Sequence, residues 1–249
     1  MKKLIYFTIG NNKQYISLLD FCVKSLHKVN YDGDYLIICN DDYEKSILEV
    51  INFKDNKVYF FETSNNDLKL SSANKLKIYN YPLIEKYDKI LYCDADMLWI
   101  KHPNDFFDVC NENKIYIANE GNKLMTNSFY GGGHFSDTES EKIIKNNIFG
   151  CNAGLFIFNK NMINDFMKID EYYQENQNLM GSCLEQPYIN AYLFRTEKYD
   201  TSITNKILQN SYKEPPQDLR DISVIHFLGG PGNFTAKYNS MKRFYENRL

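Results

Sequence analysis

Short apolar runs alternate along this chain with segments of helical period. Leu4–Ile9, Tyr35–Cys39 and Lys57–Phe61 read as strands, and the apolar spacing predicts helices from about Tyr15 to Lys28 and from Ser72 to Lys86. Within residues 87–107, two carboxylates, Asp94 and Asp96, stand between two apolar runs. The second half carries a run at Cys151–Phe158, a helix from about Lys160 to Gln174, another near Glu185–Phe194, and a strand at Ile222–Phe227. This βαβ rhythm predicts an α/β fold with a mostly parallel central sheet and helices on both faces. In such sheets ligands gather at the carboxyl ends of the strands, near the point where strand order reverses. No repeat or low-complexity segment interrupts the pattern, and Gly131 to His134 and Lys213 to Pro216 read as loops.

The 249 residues can bury one sizeable core, and a single domain is expected. Lys and Arg number 29 against 32 Asp and Glu, a net charge of −3 with no basic block, which argues against nucleic acid or an acidic membrane surface as partner. The start, Met1-Lys2-Lys3 followed by Leu4 to Ile9, imitates a signal peptide, but its apolar stretch is too short and runs into Gly10-Asn11-Asn12-Lys13, so it reads as a first strand. No run is long enough to span a membrane. Cys22, Cys39, Cys93, Cys110, Cys151 and Cys183 are scattered without a Cys-x-x-Cys pair, which favours reduced, buried thiols and a cytoplasmic location.

The chemistry concentrates at Asp94-Ala95-Asp96. Side chains at i and i+2 of a strand share a face, so both carboxylates are expected to point the same way at the end of a buried strand, where a shared cation would relieve them. Hard oxygen ligands with open positions suit magnesium or manganese carrying a phosphate substrate. His226, at the end of its own apolar run and followed by Gly229-Gly230-Pro231-Gly232, is either a hydrogen-bonded core residue or a metal ligand beside backbone that can approach a pyrophosphate closely.

Five segments in order carry a resemblance. Thr8-Ile9-Gly10-Asn11-Asn12-Lys13-Gln14-Tyr15 looks like a nucleotide-binding loop. Ser71 to Leu76, Asp94-Ala95-Asp96 and His102 to Phe107 form the second segment, Cys151-Asn152-Ala153-Gly154-Leu155-Phe156 a donor-sugar strand, and Glu185-Gln186-Pro187-Tyr188-Ile189-Asn190 a helix motif. Val224 to Gly229 looks like a C-terminal metal-histidine motif. Together they resemble glycosyltransferase family 8, the group that includes glycogenin, over residues 4 to about 234. The resemblance implies a GT-A fold with a Rossmann-like sheet, residues 1–100 binding the nucleotide and 101–249 the donor sugar and acceptor. It also implies a UDP-sugar donor, manganese with magnesium as the alternative, and retention at the anomeric carbon. Carried over residue by residue, it makes Asp94, Asp96 and His226 the metal ligands and Lys75, Glu185 and Gln186 the catalytic residues. Thr8, Asn12, Tyr15, Lys75, Ala95, Asn152, Ala153, Gly154, Gln186, Gly229 and Gly232 would line the donor site, with Tyr15 stacking on uracil and Asn152 and Gln186 offering amides to sugar hydroxyls.

Departures from the family pattern matter. A lysine that contacts the diphosphate, followed by Pro-Trp, is replaced here by Gly232, Asn233 and Phe234, leaving backbone amides or Lys237 for the phosphates. Glu185 stands for an aspartate, and Ser182 for a second one, so Glu185 can be a nucleophile or a front-face stabiliser. The leading expectation is a manganese-dependent retaining enzyme that moves glucose or galactose from UDP to a glycan or protein acceptor, with Tyr212 as a candidate for self-glycosylation and a homodimer compatible with it. A metal-dependent nucleotidyltransferase and a degenerate sugar-nucleotide-binding scaffold are the alternatives.

Overall fold

The computed structural model describes residues 1–63, 68–179, 183–210, 217–229 and 234–249, with the backbone alone at 68–70 and 122. Ser182, Tyr212 and Gly232 lie outside the described residues. The strands are β1 (Lys3–Ile9), β2 (Asp34–Cys39), β3 (Val58–Glu62), β4 (Lys89–Cys93), β5 (Met97–Trp99), β6 (Ile115–Leu124), β7 (Phe149–Asn159), β8 (Tyr199–Asp200), β9 (Ile207–Asn210) and β10 (Val224–Phe227). The helices are α1 (Tyr15–Lys28), α2 (Tyr43–Val50), α3 (Leu68–Ala73), α4 (Asn104–Phe107), α5 (Asp137–Lys145), α6 (Ile163–Glu175), α7 (Gln186–Thr196) and α8 (Phe234–Arg248).

Seven strands form the main sheet in the order β3-β2-β1-β4-β7-β6-β8. β3, β2, β1 and β4 run parallel, β7 is antiparallel to β4 and β6, and β8 runs parallel to β6. The expected α/β fold with a mostly parallel central sheet is therefore present. Alternation along the strands explains the helices on both faces. In β1, Ile5, Phe7 and Ile9 join one core with Leu18, Leu19, Cys22 and Val23 of α1, while Leu4 and Tyr6 join the other with Phe166 and Ile169 of α6. Strand order reverses between β1 and β4, since β2 and β3 extend from β1 in one direction and β4 in the other. The carboxyl ends of these two strands are Thr8–Ile9 and Cys93, next to Asp94.

A second, three-stranded sheet, β5-β10-β9, sits beside the first. Its β10 is antiparallel to β5, with His226 opposite Met97. This corrects two expectations. The stretch containing Asp94 and Asp96 is not one strand: β4 ends at Cys93, and the two aspartates occupy the turn that carries the chain from the large sheet into the small one. The strand expected at Ile222–Phe227 starts at Val224 and belongs to the small sheet. The helix expected over Ser72–Lys86 is also divided, into α3, a 3-10 helix at Asn74–Asn80 and a short 3-10 turn at Ile84–Lys86. Pro82 causes the break after Asn80, because the residue before a proline is driven from the helical region, and Tyr81 is extended at φ −70, ψ 117. All six cysteines are free thiols, five of them buried. Among the described residues no helix is long and apolar enough to cross a membrane.

Helix α7 is stitched to β7 by one fully buried amide. Asn190 Oδ1 accepts the Cys151 N–H at 2.7 Å, and its Nδ2 donates to the Cys151 and Gln186 carbonyls, both at 2.9 Å. Replacing it strands buried backbone groups, each worth about 1–3 kcal/mol. Asn190→Ala should therefore lower the free energy of unfolding in urea by about 3 kcal/mol; a loss under about 1 kcal/mol would show that the amide does not hold the helix.

Candidate active site

A cleft of about 550 Å³ opens at the seam between the two sheets. Backbone pairing delivers its central groups. Asp94 N–H donates to the Gly154 carbonyl at 2.8 Å, so Asp94 prolongs the β4–β7 ladder, while Phe227 N–H donates to the Asp96 carbonyl at 2.9 Å and sets His226 beside it. Asp94, Asp96 and His226 each offer one ligand atom to a group lying within 4.8 Å. The facing atoms are Asp94 Oδ2, 3.9 Å from His226 Nε2, and Asp96 Oδ1, 3.3 Å from it. Gly154 makes this approach feasible, since a Cβ there would lie 2.5 Å from His226 Cε1 and 2.9 Å from Asp94 Oδ2.

The other oxygen of each aspartate is held from behind. Asp94 Oδ1 accepts the Tyr92 hydroxyl and lies 3.5 Å from Lys75 Nζ, and Asp96 Oδ2 is paired with Lys237. Lys75 also reaches Glu185 Oε1 at 2.6 Å and donates to the Ala153 carbonyl at 3.1 Å. Both lysines are buried, 4% and 2% exposed, so neither is a solvated surface charge. Their surroundings drive the aspartates apart. Burial pushes the Asp94 carboxyl up, with Asp96 adding to it and Lys75 and His226 opposing. Burial acts on Asp96 in the same direction, but Lys237 and His226 outweigh it and hold that carboxyl well below the usual range. Burial would lower Lys75, yet Asp94 and Glu185 together raise it. Asp96 Oδ1 is buried, with His226 Nε2 3.3 Å away and no well-aligned hydrogen bond from the described residues. A buried carboxylate oxygen left that way, facing a second carboxylate and an imidazole, fits a divalent cation.

The remaining expected residues divide into two groups. Thr8, Tyr15, Ala95, Asn152, Ala153, Gly154, Gln186 and Gly229 line the cleft together with Lys75, Asp94, Asp96, Glu185, Lys237 and His226. Thr8 Oγ1 lies 3.0 Å from the Tyr92 hydroxyl, linking β1 to the Asp94 network. Asn152 donates to Glu120 Oε1 at 2.7 Å and accepts the Gly154 N–H at 2.8 Å. Gln186 accepts the Ala153 N–H at 2.8 Å and donates to the Phe129 carbonyl at 3.0 Å. Each amide thus braces β7 and keeps one N–H and one lone pair for a ligand. Asn12 behaves differently, because its side chain bonds the Gln14 backbone and side chain, and it is the neighbouring Asn11, at φ 64, that lines the cleft.

Tyr92, Glu120 and Phe129 are cleft residues that the sequence motifs do not assign to the site, and Lys237 enters there only as a substitute for the family's lysine. Tyr92 is within reach of local reading, since it precedes Asp94 by two and strand alternation puts both on one face. Lys237 carries a weaker signal: Lys237, Ser240, Met241 and Phe244 recur at helical spacing and form the buried face of α8. Glu120 and Phe129 carry no local pattern and come to the cleft only through the packing of β6 and the segment after it.

None of the curated proteins matches the chain. The sequence pattern of glycosyl transferase family 8 matches residues 7–231, which takes in every described group of the cleft except Lys237. With the parallel sheet, its reversal point and the paired aspartates at that point, this match places the chain in glycosyl transferase family 8, a family of GT-A type.

Proposed function

We propose that the protein is a manganese-dependent retaining glycosyltransferase that moves a hexose, glucose or galactose, from a UDP-sugar to a glycan or protein acceptor. The observation that carries this reading is the convergence of Asp94, Asp96 and His226 on one point of the cleft, where a buried Asp96 oxygen faces the imidazole without a well-aligned hydrogen bond from the described residues. Two carboxylates and one imidazole suit manganese, with magnesium the harder-ligand alternative. When bound there, the metal supplies charge that holds the diphosphate and stabilises the departing nucleotide diphosphate. Three carboxylates, Asp94, Asp96 and Glu185, against two ammonium groups, Lys75 and Lys237, leave this cluster net negative, so a diphosphate would need that added charge.

Tyr15 is the surface for the base, and Asn152 and Gln186 present amide groups to sugar hydroxyls. Lys75 orients both Asp94 and Glu185. Because Glu185 Oε1 is held by Lys75 at 2.6 Å, its charge is partly neutralised and its freedom to attack is small. A front-face course follows: the bond between the anomeric carbon and the phosphate oxygen breaks, the acceptor oxygen bonds that carbon from the same side, and the acceptor proton passes to the departing phosphate. Glu185 then stabilises positive charge developing on the sugar rather than forming an ester with it.

A panel of UDP-sugars incubated with manganese and followed by UDP release tests the donor, and intact-mass measurement tests self-glycosylation. Asp96→Ala should cut metal-dependent UDP release by about 10³-fold while the circular dichroism spectrum stays that of the parent; normal release from a folded variant would end the metal assignment.

Gly154→Ala tests the same site without touching a ligand. Its new methyl should part Asp94 from His226 and weaken manganese binding, measured by calorimetry, by about tenfold or more. Unchanged affinity would mean that the three ligand atoms do not act together.

Glu185→Gln separates the mechanisms. The amide cannot form a glycosyl ester, so an obligatory nucleophile would lose several orders of magnitude, whereas a positioning carboxylate should leave transfer within about 100-fold of the parent. A glycosylated Glu185 trapped by mass spectrometry would refute the front-face course.

A further inference from the structure

Strand β3 ends the main sheet on one side, and no strand of the described residues pairs with its outer edge. Two hydrogen bonds to β2 fix which of its backbone groups point outward. Tyr35 N–H donates to the Lys57 carbonyl and Thr63 N–H donates to the Cys39 carbonyl, both at 2.8 Å, so the odd-numbered residues of the strand bond inward. Val58, Phe60 and Glu62 therefore turn their N–H and C=O groups away from the sheet. No proline or bulge blunts this edge, and all of its side chains are at least partly exposed. Apolar surface flanks it on both faces. Val58 and Phe60 lie on the side of α2, and Tyr59 and Phe61 lie with Leu83 on the other, none of them fully buried. A groove of about 510 Å³ follows the strand, bounded by Tyr81, Pro82 and Leu83 on one side and by Glu44 of α2 on the other. It shares no residue with the cleft that holds the aspartates.

Charge decides what this edge fits. Its carboxyl end is acidic: Glu62 is exposed, Glu44 stands in the groove, and Asp41 follows Cys39, the residue of β2 that is paired with Glu62. The turn into its amino end is basic, with Lys54 and Lys57 against Asp55, all exposed. A copy of β3 laid alongside in the antiparallel sense brings the basic end of one strand to the acidic end of the other, and does so twice. A two-fold axis at Phe60 generates that copy from the protein itself. In this register Phe60 faces Phe60 and Val58 faces Glu62, so every outward N–H and C=O group of the strand finds a partner. A slip of one residue would set outward groups against inward ones, and parallel pairing would set like charge beside like.

We propose that the β3 edge is a self-docking surface, through which two copies of the chain join their main sheets across a two-fold axis at Phe60. The occupant is a second copy rather than an unrelated extended peptide because the charge pattern of the edge is complementary to itself. Tyr59, Phe61 and Leu83 of each copy pack over one face of the junction, and Val58 and Phe60 over the other. A strand pair by itself buries less than the roughly 800 Å² per partner of a standard interface, so these apolar flanks are part of the contact. The inference is independent of the donor and of the metal, since the edge and the cleft are separate surfaces.

Sedimentation velocity over a dilution series reaching about 100 μM tests it. The parent should show the mass of two chains at the top of the series, and a single chain throughout would overturn the proposal. Phe60→Pro removes one outward N–H and no bond to β2, a change that edge strands accept. With the circular dichroism spectrum of the parent, this variant should associate at least about 100-fold more weakly. Should it fail to fold, Glu62→Lys decides in its place: the substitution is at an exposed position, makes both ends of the edge basic, and should weaken association about tenfold in low salt, with a smaller loss in about 0.5 M salt. The register has its own readout. Hydrogen-bonded antiparallel pairs hold their Cα atoms about 5.5 Å apart, within disulfide range, so Phe60→Cys oxidised with diamide should give a covalent dimer linked at position 60 while the parent gives none. A dimer that persists in folded Phe60→Pro, or a Phe60→Cys dimer that does not crosslink, would put the contact elsewhere and refute the β3 assignment.

Discussion

Asp94, Asp96 and Glu185 meet Lys75 and Lys237 in one cleft, and none of the four buried members, all but the half-buried Asp94, could be buried alone. A lone buried charge costs several kcal/mol, and removing one partner of a buried pair commonly costs about 3–5 kcal/mol. Asp94 is balanced by Lys75, Asp96 by Lys237, and Glu185 again by Lys75. The balance depends on distant parts of the chain meeting at one place. The turn after β4 brings the aspartates, the 3-10 helix after α3 brings Lys75, the start of α7 brings Glu185, and α8 brings Lys237. Each of these elements must dock correctly for the others to be tolerated.

The seam between the two sheets is where that docking is possible. Had β4 continued through Asp96, the ladder would have alternated its side chains regularly and kept His226 away. By ending at Cys93, it lets the chain turn into β5, and the antiparallel pairing of β5 with β10 sets His226 next to Asp96. Gly154 completes the arrangement from the large sheet, where any side chain would enter the space between Asp94 and His226. The two carboxylates then divide their oxygens, one toward the shared point and one toward a supporting donor. Such outer contacts orient ligands and tune their charge. Here they include the Tyr92 hydroxyl, itself in contact with Thr8 of β1.

Much of this arrangement is legible in the amino-acid sequence. Alternation of apolar residues places β1, β2 and β3 within a residue or two, and the apolar runs flanking Asp94 and Asp96 single those residues out, because charge is rare in such surroundings. Ordered motifs point to His226, Lys75 and Glu185 as well. Other features resist local reading. The helix pattern over Ser72–Lys86 is true of its apolar spacing but not of its backbone, which Pro82 and tighter 3-10 turns divide. Asn12 has the character of a ligand for the base and instead secures the entry to α1 through Gln14.

What the sequence determined by itself was therefore the kind of fold and the identity of most charged groups at the site, since strand alternation, helical period and short motifs are local properties of the chain. Tertiary structure alone decided which carboxylate answers to which lysine, that two sheets rather than one meet at the aspartates, and that Lys237 reaches Asp96 across 141 positions of sequence. Electrostatic pairing in a buried cleft acts over a few ångströms of space, with no regard to distance along the chain. A pattern of residues can announce that charge will be buried, but only the packed elements determine what neutralises it.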